Sequence, residues 1–241
     1  MLSSVSKVSM TDKCIVLDID STLVYTQDDN PDEELPKLQA LKIMDPKNIQ
    51  LRKRIYYLKI DDYKKKGDGN SYPFWGVTRP HLTQFLIFCF SYFKVVAVWS
   101  AGSYDYVHKI VEHIFKGIQM PHIILTHDDC DEIDGLIYKP LDRMFSKMNE
   151  YMNYKNTFAL DDTESTFSRN ESNGILIPGY EPNETAISML VDDICLEQFK
   201  YWLLQNEVMN SNDVRKLDKT KIFDTSLENY KKRLNKVINF A

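Results

Sequence analysis

Residues 15–25 read IVLDIDSTLVY, so Asp18 and Asp20 stand one residue apart at the end of an apolar run. A second acidic pair, Asp161 and Asp162, ends the run FAL at 158–160. Between these pairs the chain carries Ser100 after VVAVW and Lys139 before a proline, and Thr22 lies two residues beyond Asp20. Two unit charges about 4 Å apart repel by roughly 4 kcal/mol at an effective dielectric near 20. Four carboxylates in one crevice therefore need protons or a cation among them. No His or Cys falls in these motifs, and oxygen-only ligation points to Mg²⁺ rather than Zn²⁺. Ser100, the amides of a helix opening after Gly102, and Lys139 together suit an anion with several oxygens. Metal, carboxylate and phosphate cradle add up to phosphoryl chemistry. There is no GxxxxGK[ST], so a P-loop nucleotide enzyme is not indicated.

Each residue also has a plainer reading. Asp18 and Asp20 could be turn residues, Ser100 a helix cap, Asp161 and Asp162 a solvated strand end, and Lys139 the partner of a surface carboxylate. Their joint arrival at strand ends favours the chemical reading. His127, Asp128 and Asp129 read as a solvated turn. His108 and His113 are five residues apart, do not share a helix face well, and read as structural.

The elements that must position these residues follow from periodicity. Short apolar runs bounded by polar residues mark strands at Cys14–Ile19, Val95–Trp99, His122–Thr126, Thr157–Leu160 and Gly174–Ile177. They are continuously apolar, as both-face burial in a parallel sheet requires. Helical spacing marks 80–93, with Pro80 in its first turn, then 104–115, and 141–151 behind Pro140. Alternating strands and helices give an α/β fold: a doubly wound, mostly parallel, Rossmann-like sheet. In such sheets ligands bind outside the carboxyl ends of the strands, where the candidate residues lie. Residues 28–78 stand outside this rhythm. They open on the acidic stretch DDNPDEELP, then RIYYLKI, KKKGDGN and YPFWGVT give a β-hairpin insertion. Tyr72, Phe74 and Trp75 in it read as hairpin core, with a peptide grip as the rival. From Ala186 the chain reads as helical, ending in a stripe of Leu227, Tyr230, Leu234, Val237 and Ile238.

Composition bounds the answer. The 241 residues suit one sizeable domain with a small insertion. The net charge of −5 leaves no general basic footprint for nucleic acid or anionic membrane. The four cysteines are scattered with no CxxC, so a reducing, intracellular setting is expected, nuclear or cytoplasmic. The N-terminus lacks the apolar region of a signal peptide. FLIFCFSYFKVVAVW is divided by Lys94 and reads as a buried helix and strand, not a membrane span.

The order D-x-D-x-T, a later Ser, a Lys and an acidic pair resembles the haloacid dehalogenase superfamily of phosphatases. VTRPHLTQFL, VVAVWSAGSYDYVHKIV, IYKPLDRM and FALDDTESTFSRNESNGILIPGY narrow the likeness. They resemble the small C-terminal-domain phosphatases, or NLI-interacting-factor-like phosphatases, that act on RNA polymerase II. The likeness covers about residues 12–217, with 218–241 as a C-terminal helix on or beyond that domain. It implies that Asp18 takes the phosphoryl group as an aspartyl-phosphate and that Asp20 is the general acid and base. It implies Mg²⁺ held by Asp18, the Asp20 carbonyl and Asp162, with Asp161 assisting. Thr22, Ser100 and Lys139 would hold the phosphoryl oxygens. Relatives often carry Asn at the position of Asp162, so this chain adds a negative charge there. The small insertion implies an open site and a phosphoserine or phosphothreonine protein substrate, with no direct nucleic-acid or membrane partner. A phosphatase for small molecules or nucleic-acid ends is the alternative. An inactive binding module of the same fold is the alternative of another class, and the intact first motif speaks against it.

Overall fold

The computed structural model describes residues 9–28, 46, 49–61, 63, 69–181 and 193–238. Most of the acidic stretch, most of KKKGDGN and the expected helix start at 186–192 lie outside the described residues.

Five parallel strands form the central sheet: β1 (Cys14–Leu17), β5 (Val95–Trp99), β6 (Ile123–Leu125), β9 (Thr157–Asp161) and β10 (Gly174–Leu176). Their spatial order is β10-β9-β1-β5-β6, which places β1 at the centre. Its register pairs Leu17 with Val98 on one side and Leu160 on the other. That brings the residues following β1, β5 and β9 to one edge. Alternate side chains of β1 go to opposite faces, as the pleat demands. Ile15 and Leu17 join the larger core with α2 (Leu82–Tyr92), α3 (Tyr104–Ile114) and α5 (Cys195–Leu203). Cys14 and Val16 join a second core with Trp99 and with Leu141 and Met144 of α4 (Leu141–Lys147). Both faces of the sheet are therefore covered, the condition for an all-parallel sheet.

Two short helices, α1 (Ile49–Arg52) and α6 (Asn206–Met209), complete the smaller elements. The terminal α7 (Leu227–Ile238) buries Tyr230, whose hydroxyl donates to the Ile222 carbonyl at 2.9 Å.

The insertion is a sheet of three antiparallel strands in the order β2-β4-β3. It comprises β2 (Val24–Asp28), β3 (Ile55–Asp61) and β4 (Ser71–Thr78). Strand β2 begins directly after the first acidic motif and pairs Val24 with Thr78. Phe74 and Trp75 are buried, as hairpin core requires; Tyr72 packs half-buried against the cluster of Phe74, while Trp75 joins Leu51, Val77 and Tyr180 in another. A further hairpin, β7 (Asp131–Ile133) and β8 (Leu136–Tyr138), turns through Asp134 and Gly135, both at positive φ. Positive φ at both central residues is what a tight Asp-Gly hairpin turn needs.

Two helix boundaries differ from expectation. Helix α2 starts at Leu82, so Pro80 lies before it, and the cap residue His81 takes a left-handed backbone with φ 65°. The Arg79 carbonyl accepts the Leu82 amide, a tight turn that delays the helix by two residues. Helix α4 ends at Lys147 rather than 151 and continues as turns, with Met148 and Met152 still buried in the second core. Among the described residues no helix is long and apolar enough to cross a membrane.

His122 opens β6 from a buried position, with Nδ1 against the Val96 backbone. Burial lowers its pKa, and the bond to Val96 opposes this only in part. The folded pKa thus lies below the unfolded value of about 6.5. Above that pH the ring is neutral in both states. As the pH falls below it, the unfolded chain takes up a proton that the folded protein resists, so His122 costs stability there. The unfolding free energy of wild type minus that of His122→Asn should therefore fall between about pH 7.5 and 5.5, read by urea denaturation. A difference that stays constant or rises would contradict this account of His122.

Candidate active site

The turn after β1 is held from several directions. The Ile19 carbonyl accepts the amides of Leu23 and Val24 at 2.8 and 3.1 Å, and Ser21 adopts a left-handed φ of 55°. A non-glycine residue in that region is uncommon and has to be held by its surroundings. The Ser21 carbonyl accepts the Tyr180 amide at 2.6 Å, and the Leu23 carbonyl accepts the Arg79 amide at 2.9 Å. The Arg79 side chain is fully buried. It donates to the Thr22 carbonyl at 3.0 Å, to the Pro178 carbonyl at 2.7 Å, and to both oxygens of Asp193 at 2.9 and 2.8 Å. One guanidinium thus joins the end of β4, the turn after β1, the segment after β10 and the entry to α5.

This framing gathers most of the expected residues. Carboxylate oxygens of Asp18, Asp161 and Asp162 lie within 4.8 Å of one another. Lys139 is buried, and its ammonium donates to Asp18 Oδ1 at 2.6 Å and Asp161 Oδ2 at 2.7 Å. It pairs with these buried acids rather than with a surface carboxylate. Asp161 has its other oxygen occupied as well, since Oδ1 accepts the Thr163 amide at 2.9 Å. Asp162 accepts a long contact from the Thr22 hydroxyl at 3.4 Å. Ser100 is buried, and its Oγ accepts the Gly102 amide at 3.0 Å, which leaves the hydroxyl proton to donate elsewhere. Asp20 sits slightly apart, outside the three-acid cluster, and accepts a short hydrogen bond from the Tyr106 hydroxyl at Oδ1.

The electrostatics follow from burial. Desolvation pushes the Asp18 carboxyl up; Lys139 pulls it down, and Asp161 and Asp20 add to the rise. Burial likewise raises Asp20, against hydrogen bonds from Tyr106, Ser100 and Thr26 and the charge of Lys139. Asp162 is raised to about 6 by burial and then by Asp161. Burial opposes the charge on Lys139, but Asp18 and Asp161 outweigh it and hold the ammonium protonated. Three carboxylates against one ammonium leave a formal charge of −2 when all are ionised. Every donor in the cluster is an oxygen, and hard divalent cations prefer such a set. The residues therefore fit Mg²⁺ in both charge and chemistry.

Arg79, Asp193 and Tyr106 were not among the expected site residues. Arg79 lies in VTRPHL, where neither residue type nor spacing shows the four acceptors that its buried guanidinium meets. Tyr106 lies in the first turn of α3 and reads there as an ordinary amphipathic position. The His127–Asp129 segment is a one-turn 3₁₀ element with no buried side chains, in keeping with a solvated turn. His108 stacks on Tyr104 and His113 packs on Tyr56.

The NLI interacting factor-like phosphatase model matches residues 13–215. The chain belongs to that family. A search of the curated proteins found no significant match. Among solved structures, this chain resembles a variant of the fission yeast RNA polymerase II CTD phosphatase Fcp1 bound to beryllium fluoride, with 17% identity and a TM-score of 0.52. It also resembles Fcp1, described as an essential RNA polymerase II CTD phosphatase, with 16% identity and the same TM-score. Each alignment covers 93% of this chain and 62% of the other. At such identity the likeness speaks for the fold, which is the haloacid dehalogenase fold. This member of the NLI interacting factor-like phosphatases thus spans about three fifths of the length of those two chains.

The Arg79 brace makes a stability prediction. Arg79→Met leaves Asp193 buried without its cation and should cost about 3–5 kcal/mol of unfolding free energy in urea. Adding Asp193→Leu should recover part of that loss, because the uncompensated charge goes with it. Losses that simply add in the double variant would mean that the two side chains are not coupled.

Proposed function

We propose that this chain is a Mg²⁺-dependent phosphomonoesterase that works through an aspartyl-phosphate at Asp18. Its substrate class is phosphoserine or phosphothreonine in a protein, of the kind that the RNA polymerase II C-terminal domain presents. The observation that carries the reading is the cluster of Asp18, Asp161 and Asp162 around one buried ammonium, Lys139. Membership of a phosphatase family and the Fcp1 likeness support the same reading.

Asp18, Asp162 and the Asp20 carbonyl would hold the metal. Of the second acidic pair, Asp162 is the better ligand, because both oxygens of Asp161 already accept hydrogen bonds. Bound there, Mg²⁺ supplies positive charge against the phosphoryl oxygens and keeps Asp18 ionised. The chain's own residues do the rest. An Asp18 oxygen attacks phosphorus while the P–O bond to the leaving group breaks, and Asp20 gives its proton to the departing oxygen. Asp20, now a carboxylate, takes a proton from the water that attacks the aspartyl-phosphate, and inorganic phosphate leaves with Asp18 regenerated. Lys139 keeps its charge throughout, and with the Ser100 and Thr22 hydroxyls it would hold the equatorial oxygens. The small three-stranded insertion supports an open site that admits a side chain on a polypeptide.

Hydrolysis of aryl phosphate should require Mg²⁺ and fall at least about a thousandfold in Asp18→Asn, which removes the nucleophile. A panel of phosphoserine and phosphothreonine peptides against small phosphates should show higher kcat/KM for the peptides. Preference for the small phosphates would transfer the reading to that class, and inertness of the wild type with Mg²⁺ would overturn it. The excess negative charge gives a second test. In EDTA, Asp162→Asn should melt higher than wild type at about pH 7.5, since an acid with raised pKa is ionised there at a cost to the fold. With saturating Mg²⁺ the order should reverse, because only the wild type keeps the full ligand set. Equal shifts for both proteins on adding Mg²⁺ would remove Asp162 from the metal site.

A further inference from the structure

Two glycines near the site are kept clear by tyrosines. A Cβ on Gly102 would lie 2.6 Å from Cδ1 of Tyr106, and a Cβ on Gly76 would overlap the Tyr56 ring. Each ring therefore sits against backbone that only glycine leaves open. Gly102 belongs to the loop carrying Ser100, and Gly76 belongs to β4 of the insertion sheet. Both hydroxyls are hydrogen-bonded. Tyr106 donates to Asp20 Oδ1, and the Tyr56 hydroxyl lies 2.6 Å from Thr26 Oγ1. The Tyr106 ring is almost fully buried. Phe74 and Tyr63, both from the insertion, stand 5.9 and 6.1 Å from it between ring centres.

We infer that Tyr106 is a positioning residue for Asp20, with the insertion sheet as the wall that holds it in place. This rests on the proposed phosphatase reading, in which Asp20 moves the proton. A carboxyl group can rotate about its Cβ–Cγ bond, and proton transfer needs one oxygen kept toward the leaving group. The Tyr106 hydroxyl occupies Oδ1, so Oδ2 is the oxygen that carries the proton. When the P–O bond breaks, that proton goes from Oδ2 to the leaving oxygen, and Tyr106 continues to donate to the carboxylate that remains. In the second half, Oδ2 receives the proton of the attacking water. Phe74 and Tyr63 pack against the Tyr106 ring from the insertion, so the insertion holds the hydroxyl in place through that ring.

The test separates orientation of the acid from general loss of structure. Tyr106→Phe keeps the ring and its packing and removes only the hydroxyl. The value of kcat/KM reports the step in which Asp18 takes the phosphoryl group. Phenyl phosphate has a basic leaving group that needs the proton, whereas dinitrophenyl phosphate leaves without it. General acids are worth roughly a hundredfold or more, and misorienting one should forfeit about tenfold of that. The loss of kcat/KM in Tyr106→Phe should therefore be about tenfold greater for phenyl phosphate than for dinitrophenyl phosphate. Equal losses on both substrates, or none on either, would overturn the inference while wild-type turnover leaves the phosphatase reading standing. A wild type that hydrolyses neither substrate would instead overturn the phosphatase reading on which the inference depends.

Discussion

A buried ammonium between two carboxylates is the contact on which the rest of the site depends. Lys139 reaches Asp18 at 2.6 Å and Asp161 at 2.7 Å from a position that is itself almost closed to water. Without that cation, the ends of β1 and β9 would carry adjacent buried acids, each repelling the other in a medium that screens poorly. With it, the two strands can run side by side to their last residues. The ammonium neutralises only part of the charge. The surplus negative charge suits a divalent ion, and acids whose pKa is raised cost the fold stability when ionised. Under the proposed metal binding, that cost is one the ion would relieve, in keeping with the general opposition between stability and function at active sites.

The framework around that contact is made from elements that tie distant parts of the chain to one turn. Arg79 does this from beneath, through carbonyls of Thr22 and Pro178 and the carboxylate of Asp193. Tyr106 does it from the side, through Asp20. The insertion sheet does it from another side, since β2 continues directly out of the turn after β1 and pairs with β4. The turn is short and one of its residues is in a left-handed conformation, so its geometry is imposed from outside. This explains why Asp18 and Asp20 can sit one residue apart and still face different partners. Asp18 lies among acids and a lysine, while Asp20 meets the Tyr106 hydroxyl.

The central sheet was legible in the sequence because its signal is local. Val95–Trp99 is apolar at every position, and burial on both faces needs nothing more to be recognised. The acids were legible for a related reason: each follows such a run, and parallel strands bring their carboxyl ends to one edge. Strand β2 was not legible. VYTQD has mixed polarity and runs into an acidic stretch, and it becomes a strand only by pairing with residues about fifty positions later. The β7–β8 hairpin did carry a local mark in Asp134-Gly135, but its three-residue strands are too short to show alternation. Arg79 and Tyr106 were invisible as site residues because their importance lies in what they touch. No residue type or spacing distinguishes a buried arginine with four acceptors from one in solvent. Proline at 80 misled for the opposite reason: its preference for a first helical turn was overridden by the tight turn at Arg79–Leu82.

The central claim is that Asp18 becomes covalently phosphorylated while Asp20 and Asp161, its close neighbours, do not. The most direct measurement is chemical trapping during turnover. The enzyme is mixed with substrate and Mg²⁺, quenched in acid, reduced with borohydride, digested and read by tandem mass spectrometry. An acyl-phosphate is reduced to the alcohol, so the account predicts homoserine in place of aspartate at Asp18 and at no other acid of the cluster. Reduction at Asp20 or Asp161, or steady turnover with every aspartate intact after trapping, would contradict it.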